Sequence, residues 1–297
     1  MEKIILYYKF VPIKDTESVL FWQKALCEKL QLKGRVLISQ QGINGTLGGD
    51  IENLKLYTRA MKSHSLFAGI AWKWSDGGAA DFPRLSIKVR KEIVTFGVPK
   101  EIKVNEDGII GGGERLKPKQ VHELVKKHGD DVVFVDGRNA HEAAIGKFKK
   151  ALVPNTKTTR DFIKELDSAK LKKIKDKPIV TYCTGGIRCE ILSALMKNRG
   201  FKNVYQLDGG ISKYGEEFGD DGLWEGKLYV FDKRMKIGFS DKSKDIGKCT
   251  KCKSKTSNYV DCANNACNDL ILICETCYSQ TQTCSNKCSL ITSSLIV

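Results

Sequence analysis

Near the start of the chain, IILYYKFVPI is apolar almost without interruption, and the next stretch, DTESVLFWQKALCEKL, places apolar residues every three or four positions. The first pattern predicts a strand. The second predicts an amphipathic helix with Asp15 or Thr16 at its N-cap, where a short polar side chain accepts from free N–H groups of the first turn. RVLISQ and NGTLGG read as two short strands flanking the turn residues QGI, and within QGINGT the pair Asn44–Gly45 carries a hairpin signal. IENLKLYTRAMKSH returns to the helical period, and FAGIAWKW and RLSIKVRKEIV follow as strands. The order β-α-β-β-α-β is that of a ferredoxin-like split βαβ unit.

EDGIIGGGERLKP has no periodicity and is rich in glycine, which predicts a boundary near residue 113. Its three adjacent glycines resemble a phosphate loop, but no strand leads into them and no GK[ST] follows, so a linker or turn is the better reading. Beyond it, helical and strand patterns alternate. KPKQVHELVKKHG, AHEAAIGKF, TTRDFIKELDSA and GIRCEILSALMKNRG are helical, whereas VVFVDGR, PIVTYC and NVYQLDGG are strands. This alternation predicts an α/β domain with a mostly parallel sheet. From Gly222 the chain runs through WEGKLYVF into a cysteine-rich tail. The expected division is 1–113, 114–221 and 222–297, in a multidomain chain of mixed α/β and α+β class.

In parallel α/β sheets, functional residues gather at the carboxyl ends of strands. Two such ends stand out: Asp136 with Arg138 in VVFVDGR, and Cys183 in YCTGGIRCE. A free thiol ionises near about 8.5, and activated thiols fall to roughly 3.5–7.5. After Cys183 come Thr184, Gly185 and Gly186, then Ile187 and Arg188 entering a helix. Glycines let backbone N–H groups turn inward as an anion nest, and the helix start adds about 0.3–1 kcal/mol of favourable charge where exposed. The loop is therefore suited to carrying a negative sulfur. C-x4-R is one residue shorter than the C-x5-R loop of cysteine phosphatases, and a tighter cradle suits a single extra atom on the sulfur better than a phosphate. Cys189 lies in the first helical turn, where packing against the sheet and resolving a modified Cys183 are both open; Cys27, on the apolar face of the first helix, is core.

The 297 residues carry 50 Lys+Arg against 35 Asp+Glu, a formal net charge of +15, which favours a polyanionic partner over an acidic or neutral one. The strand RLSIKVRK, with Trp72, Trp74 and Phe82 just before it, offers one surface of the kind RNA stacks on, although each aromatic taken singly reads as core. The N-terminus lacks a signal-peptide pattern and no window reaches the roughly 18 apolar residues of a membrane span. A soluble, cytoplasmic protein with no membrane partner is expected. Eight of the eleven cysteines fall in the tail as Cys249/Cys252, Cys262/Cys267, Cys274/Cys277 and Cys284/Cys288. In a reducing compartment such spacing favours metal over disulfides, and predicts two structural four-cysteine zinc sites. Spacing leaves open whether consecutive or alternate pairs share a metal.

VVFVDGRNAHEAAIGKFKKALVPNT, YCTGGIRC and NVYQLDGGI together resemble a rhodanese domain. With QQGINGTLGG before them and eight cysteines behind, the whole chain is similar to the rhodanese-domain tRNA uridine hydroxylases. That resemblance implies an oxidoreductase making 5-hydroxyuridine at the tRNA wobble position with molecular oxygen as co-substrate. It also implies Cys183 as the persulfide-forming cysteine, Arg188 as the loop arginine, and Asp136 and Arg138 as the strand-end pair. Gly137 departs from the usual hydrophobic residue there, which would loosen the strand end, and Lys147 stands where many rhodaneses have histidine. Oxygen chemistry usually draws on a metal or flavin. His64, His122, His128 and His141 do not show ligand spacing, and no dinucleotide fingerprint precedes a helix, so no redox cofactor is assigned from the sequence. A sulfurtransferase working through a Cys183 persulfide, and a non-catalytic RNA-binding module, are the alternatives.

Overall fold

The structure is a computed structural model that describes residues 1–267 and 269–293, with side chains described through residue 290. By contact density it divides into two compact units, residues 1–139 with 150–217, and residues 140–149 with 218–297.

The first unit begins with the expected elements: β1 (Glu2–Phe10), α1 (Thr16–Lys29), β2 (Lys33–Ser39), β3 (Gly42–Asp50), α2 (Ile51–Ser63), β4 (Lys73–Asp76) and β5 (Leu85–Val89), the last within the expected strand RLSIKVRKEIV. The sheet order is β4-β1-β3-β2-β5, antiparallel except for β5 against β2. Asp15 caps α1 by accepting from the Ser18 N–H at 3.0 Å, as the pattern predicts. Ile5, Tyr7, Val36, Ile38, Leu47, Leu54, Tyr57 and Met61 form its core.

Two local expectations are corrected. The hairpin turns at Gln40–Gln41, while Asn44 and Gly45 lie inside β3. Gly45 is glycine because the Tyr7 ring occupies the space of a side chain there, and the Asn44 amide donates to the Ile93 carbonyl at 3.1 Å. Of FAGIAWKW only Lys73 and Trp74 are strand; residues 67–69 form a turn and 70–72 are irregular. Trp72 packs on Tyr7, ring centroids 4.8 Å apart, and Phe82 is buried, so of the three aromatics only Trp74 is exposed.

A short hairpin, β6 (Val104–Asn105) and β7 (Gly108–Ile109), precedes the second sheet. The triple glycine holds no phosphate-loop geometry: the Gly113 N–H donates to Ser193 Oγ at 2.9 Å, and a methyl on Gly113 would lie 2.8 Å from the Val204 carbonyl oxygen. β8 (Glu114–Leu116), α3 (Pro118–His128) and β9 (Val133–Asp136) follow, then α4 (Ala140–Ile145) and β10 (Gly146–Phe148), which belong to the second unit. The chain returns through α5 (Phe162–Leu166) and α6 (Ala169–Lys172) to β11 (Pro178–Tyr182), α7 (Ile187–Asn198), β12 (Asn203–Leu207) and α8 (Gly210–Phe218). All four strands run parallel in the order β8-β12-β11-β9. Ile179 of β11 and Ile191, Leu192, Leu195 and Met196 of α7 are buried in its core, which fixes the strand-to-helix turn between them.

The second unit adds small antiparallel pairs: β13 (Trp224–Gly226) on β10, β14 (Leu228–Tyr229) on β15 (Lys236–Ile237), and β16 (Tyr259–Asp261) on β17 (Leu270–Leu272), followed by α9 (Glu275–Gln280) and α10 (Asn286–Ser293). Its apolar clusters are small, one of them built largely from cysteines with Ile271 and Ile273. Among the described residues no helix is long and apolar enough to cross a membrane.

Candidate functional site

β11 delivers Cys183 to the carboxyl edge of the parallel sheet, and α7 starts four residues later. Gly186 is the N-cap of α7 with φ of +100°, a conformation side chains rarely adopt, and it offers no capping side chain of its own. The sulfur takes that place: the Gly186 N–H donates to Cys183 Sγ at 3.2 Å. The loop carbonyls are turned away and held, Cys183 O by the Ile211 N–H at 2.9 Å and Thr184 O by the Ser212 N–H and hydroxyl, both at 3.0 Å. Arg188 donates to Thr184 Oγ1 at 3.3 Å, bracing the loop across its mouth.

Cys183 is fully buried. Burial alone would push its thiol up; a hydrogen bond from Cys189, the Arg188 charge and the backbone N–H groups of residues 189 and 188 outweigh it and bring the thiol down to about 6. The Cys189 thiol goes the other way, raised by burial and by the charge it faces on Cys183. The loop thus sets one thiol of lowered pKa beside one of raised pKa.

The structure gathers Cys183 to Arg188 in this loop. Asp136 and Arg138 lie at the end of the neighbouring β9 and face each other: both are fully buried, the guanidinium donating from Nε at 2.9 Å and from Nη2 at 2.7 Å to the carboxylate. Gly137 between them does not loosen the strand. Its N–H donates to the Tyr182 carbonyl at 2.8 Å, and a methyl group there would lie 3.3 Å from Cys189 Sγ and 3.2 Å from Leu192. Lys147 lies on β10 of the second unit, opposite Glu225.

The sequence reading missed the outer wall of the loop, which comes from the ferredoxin-like domain. A methyl group on Gly185 would meet Leu6 Cδ2 at 2.8 Å and Lys73 Cδ at 3.8 Å, and one on Gly186 would meet the Tyr8 hydroxyl at 3.0 Å. Tyr8 donates to Glu190 Oε1 at 3.1 Å; Arg115 pairs with the same oxygen at 2.7 Å, and Gln206 reaches Oε2 at 3.4 Å. The Lys73 ammonium sits 5.2 Å from the Tyr8 ring centre, its pKa lowered by burial against the upward pull of Cys183 and Asp208. A signal for this wall was present: β1 is apolar at consecutive positions, the pattern of a strand covered on both faces.

In the tail, two sets of four sulfurs converge, Cys249, Cys252, Cys274 and Cys277 in one, Cys262, Cys267, Cys284 and Cys288 in the other. Alternate pairs are therefore joined, which spacing had left open. All eight are free thiols, and sulfurs approach to 3.6 Å between Cys252 and Cys274 and 3.5 Å between Cys267 and Cys284 and between Cys284 and Cys288. A tetrahedral ion with bonds of about 2.3 Å would set its sulfurs about 3.8 Å apart, whereas a disulfide needs about 2.0 Å. Each set fits a metal ion.

Three family models match the chain: the UPF0176 acylphosphatase like domain over residues 2–93, the rhodanese-like domain over 117–217 and the rhodanase C-terminal region over 225–289. Among curated proteins, a tRNA uridine(34) hydroxylase of Corynebacterium urealyticum is 57% identical over 286 residues, covering 96% of each chain. One from Arthrobacter sp. (strain FB24) is 58% identical over 294 residues, covering 97% of this chain and 99% of its own. Another from Corynebacterium diphtheriae is 58% identical over 287 residues, covering 95% of this chain and 92% of its own. Identity of this extent over nearly the full length, with a cysteine loop braced by its own N-terminal domain, places the chain in the tRNA uridine(34) hydroxylase family.

Proposed function

We propose that this protein hydroxylates uridine 34 of tRNA to 5-hydroxyuridine, with molecular oxygen as oxidant and Cys183 as the reactive group. The observation that carries this reading is the Cys183 thiol, buried in a C-x4-R loop and brought down to about 6, hence ionised at neutral pH. Gly186 N–H and the start of α7 hold the thiolate, and Arg188, tied to Thr184, keeps a positive charge beside it. Together Thr184, Gly185, Gly186, Ile187 and Arg188 form a cradle for one added atom on sulfur, while the Asp136–Arg138 pair fixes the adjoining strand end. Burial excludes bulk water from a reactive sulfur species, which lengthens its useful lifetime.

In this reading the chain works as three parts with boundaries near residues 113 and 221. Each tail cluster holds one zinc ion in a structural role, since four thiolates leave no position open for substrate. The excess of Lys+Arg over Asp+Glu, 50 against 35, supplies attraction for the tRNA backbone.

Nucleoside mass spectrometry on tRNA from cells lacking the protein, complemented with wild type or Cys183→Ser, tests the reading. The expected result is loss of 5-hydroxyuridine and its derivatives, restored by wild type alone. Unchanged hydroxyuridine in the deletion strain would overturn it, and missing thiolated nucleosides in its place would move the assignment to sulfur transfer.

A further inference from the structure

Cys189 is more than a packing residue. Its N–H donates to the Gly186 carbonyl at 3.0 Å in the first turn of α7, while the Gly186 N–H donates to Cys183 Sγ at 3.2 Å, so both cysteines close on the same glycine. Both sulfurs are fully buried and both cysteines are free. A second, independent feature keeps that space for sulfur: residue 137 is glycine, and one added methyl group would stand 3.3 Å from Cys189 Sγ and 3.0 Å from the Tyr182 carbonyl oxygen. The remaining scattered cysteine shows the contrast. Cys27 is buried in the apolar core of the ferredoxin-like domain, where burial pushes its thiol up to about 12.

Electron counting gives the pair a task. When one atom of O2 enters a uracil C–H bond, the other must leave as water, which takes two electrons from a donor other than the tRNA. We propose that the Cys183–Cys189 pair is that donor, so that Cys189 is a second catalytic residue and each turnover closes a Cys183–Cys189 disulfide. The inference rests on the hydroxylase reading above.

The balance is complete. One tRNA C5–H, one O2, the Cys183 thiolate, the Cys189 thiol and one solvent proton give one C5–OH, one water and one disulfide. The C–H, O–O and S–H bonds break, and C–O, S–S, the hydroxyl O–H and two water O–H bonds form. O2 accepts four electrons, two from the uracil carbon and two from the sulfurs. The Cys189 proton and the solvent proton, with the hydrogen released from C5, end on the two oxygens. An external dithiol then reopens the disulfide by exchange, which a thiolate attack on either sulfur begins. Forming the bond brings the two sulfurs to about 2.0 Å.

The test uses the full-length protein, reduced, freed of reductant, and mixed with unmodified tRNA in air. After denaturation and alkylation, peptide mass spectrometry reads the state of Cys183 and Cys189 while nucleoside analysis counts hydroxyuridine. The expected result is one Cys183–Cys189 disulfide for each hydroxyuridine, with turnover halting at one equivalent until a dithiol is added. Cys189→Ser, with unchanged circular dichroism, should form no disulfide and lose at least about tenfold in multiple turnover; should that variant fail to fold, the wild-type stoichiometry still decides. Several equivalents of hydroxyuridine with both thiols still alkylatable would overturn the inference and leave the hydroxylase reading standing. A disulfide that forms equally without tRNA would also overturn it, as the pair would then be sensing oxidant rather than supplying turnover. No hydroxyuridine from wild type even with dithiol would remove both readings together.

Discussion

The loop at Cys183 and the tail from Cys249 both gather cysteine sulfur, and they surround it in opposite ways. At Cys183 a single negative charge is matched by backbone N–H groups, a helix start and Arg188, inside a domain whose sheet and helices already have an apolar core. In the tail, four sulfurs lie within 4.8 Å of one another in each set, and four adjacent negative charges are tolerable only around a cation. The tail has little else to hold it, since its strands are two or three residues long and its apolar clusters are small. What differs is the surroundings of the sulfur: an existing apolar core at Cys183, and little besides other sulfurs in the tail.

The largest expected effect breaks that comparison at the tail. A structural zinc site contributes on the order of 10 kcal/mol to folding. Removing metal with a chelator, or replacing Cys249 or Cys262 with serine, should unfold the cysteine-rich segment while the parallel sheet persists. Hydrogen exchange followed by mass spectrometry checks this: amides of β16 and β17 should lose protection, and those of β11 should keep it. Equal loss in β11 would mean that the two regions do not fold independently.

An intermediate effect concerns the wall of the Cys183 loop. Gly185 does not have a positive φ, so its backbone accepts alanine, and the obstacle is Leu6 at 2.8 Å. Forcing a methyl into a packed contact costs about 1–3 kcal/mol. Gly185→Ala should lower thermal stability to that extent and reduce tRNA modification by about tenfold, and Leu6→Ala in the same chain should restore much of both. An alanine variant with wild-type activity and stability would show that β1 does not seat on the loop in solution.

That contact also marks where the sequence stopped being informative. Alternating and continuous apolar patterns identified β1, β11 and α7 because burial of their side chains is a local property of the chain. Cys183 and Arg188 stood out for a related reason, since the cysteine, the glycines and the arginine fall within six consecutive residues. Tyr8 and Glu190 are 182 residues apart, and nothing in either neighbourhood states that one donates to the other. Asn44–Gly45 misled for the converse reason: a turn-forming pair was placed mid-strand because Tyr7, on the adjacent strand, needed the room. Pairing in the tail was hidden because spacings within the four pairs are compatible with either arrangement; in the structure the Thr250 N–H donates to the Leu272 carbonyl at 2.9 Å, which seats Cys249 beside the end of β17 and hence with Cys274.

The smallest expected effect sharpens the comparison from the reactive side. Cys183 ionises near 6 in the folded protein and near about 8.5 in an unfolded chain. Its folded pKa is the lower of the two, so its contribution to stability is complete above about 8.5 and is lost as pH falls through about 6. Activity limited by the thiolate should follow the same lower boundary, constant above about 7 and falling tenfold per pH unit below about 6. The thiolate absorbance near 240 nm, taken as the difference between wild type and Cys183→Ser, reads the ionisation directly and needs no access to the buried sulfur. Arg188→Met removes a charge that favours the thiolate and should move the midpoint upward by about one unit, equivalent to about 1.4 kcal/mol. A midpoint unchanged in that variant would assign the depression to the Cys189 hydrogen bond and the backbone N–H groups alone, and leave Arg188 with the task of bracing Thr184.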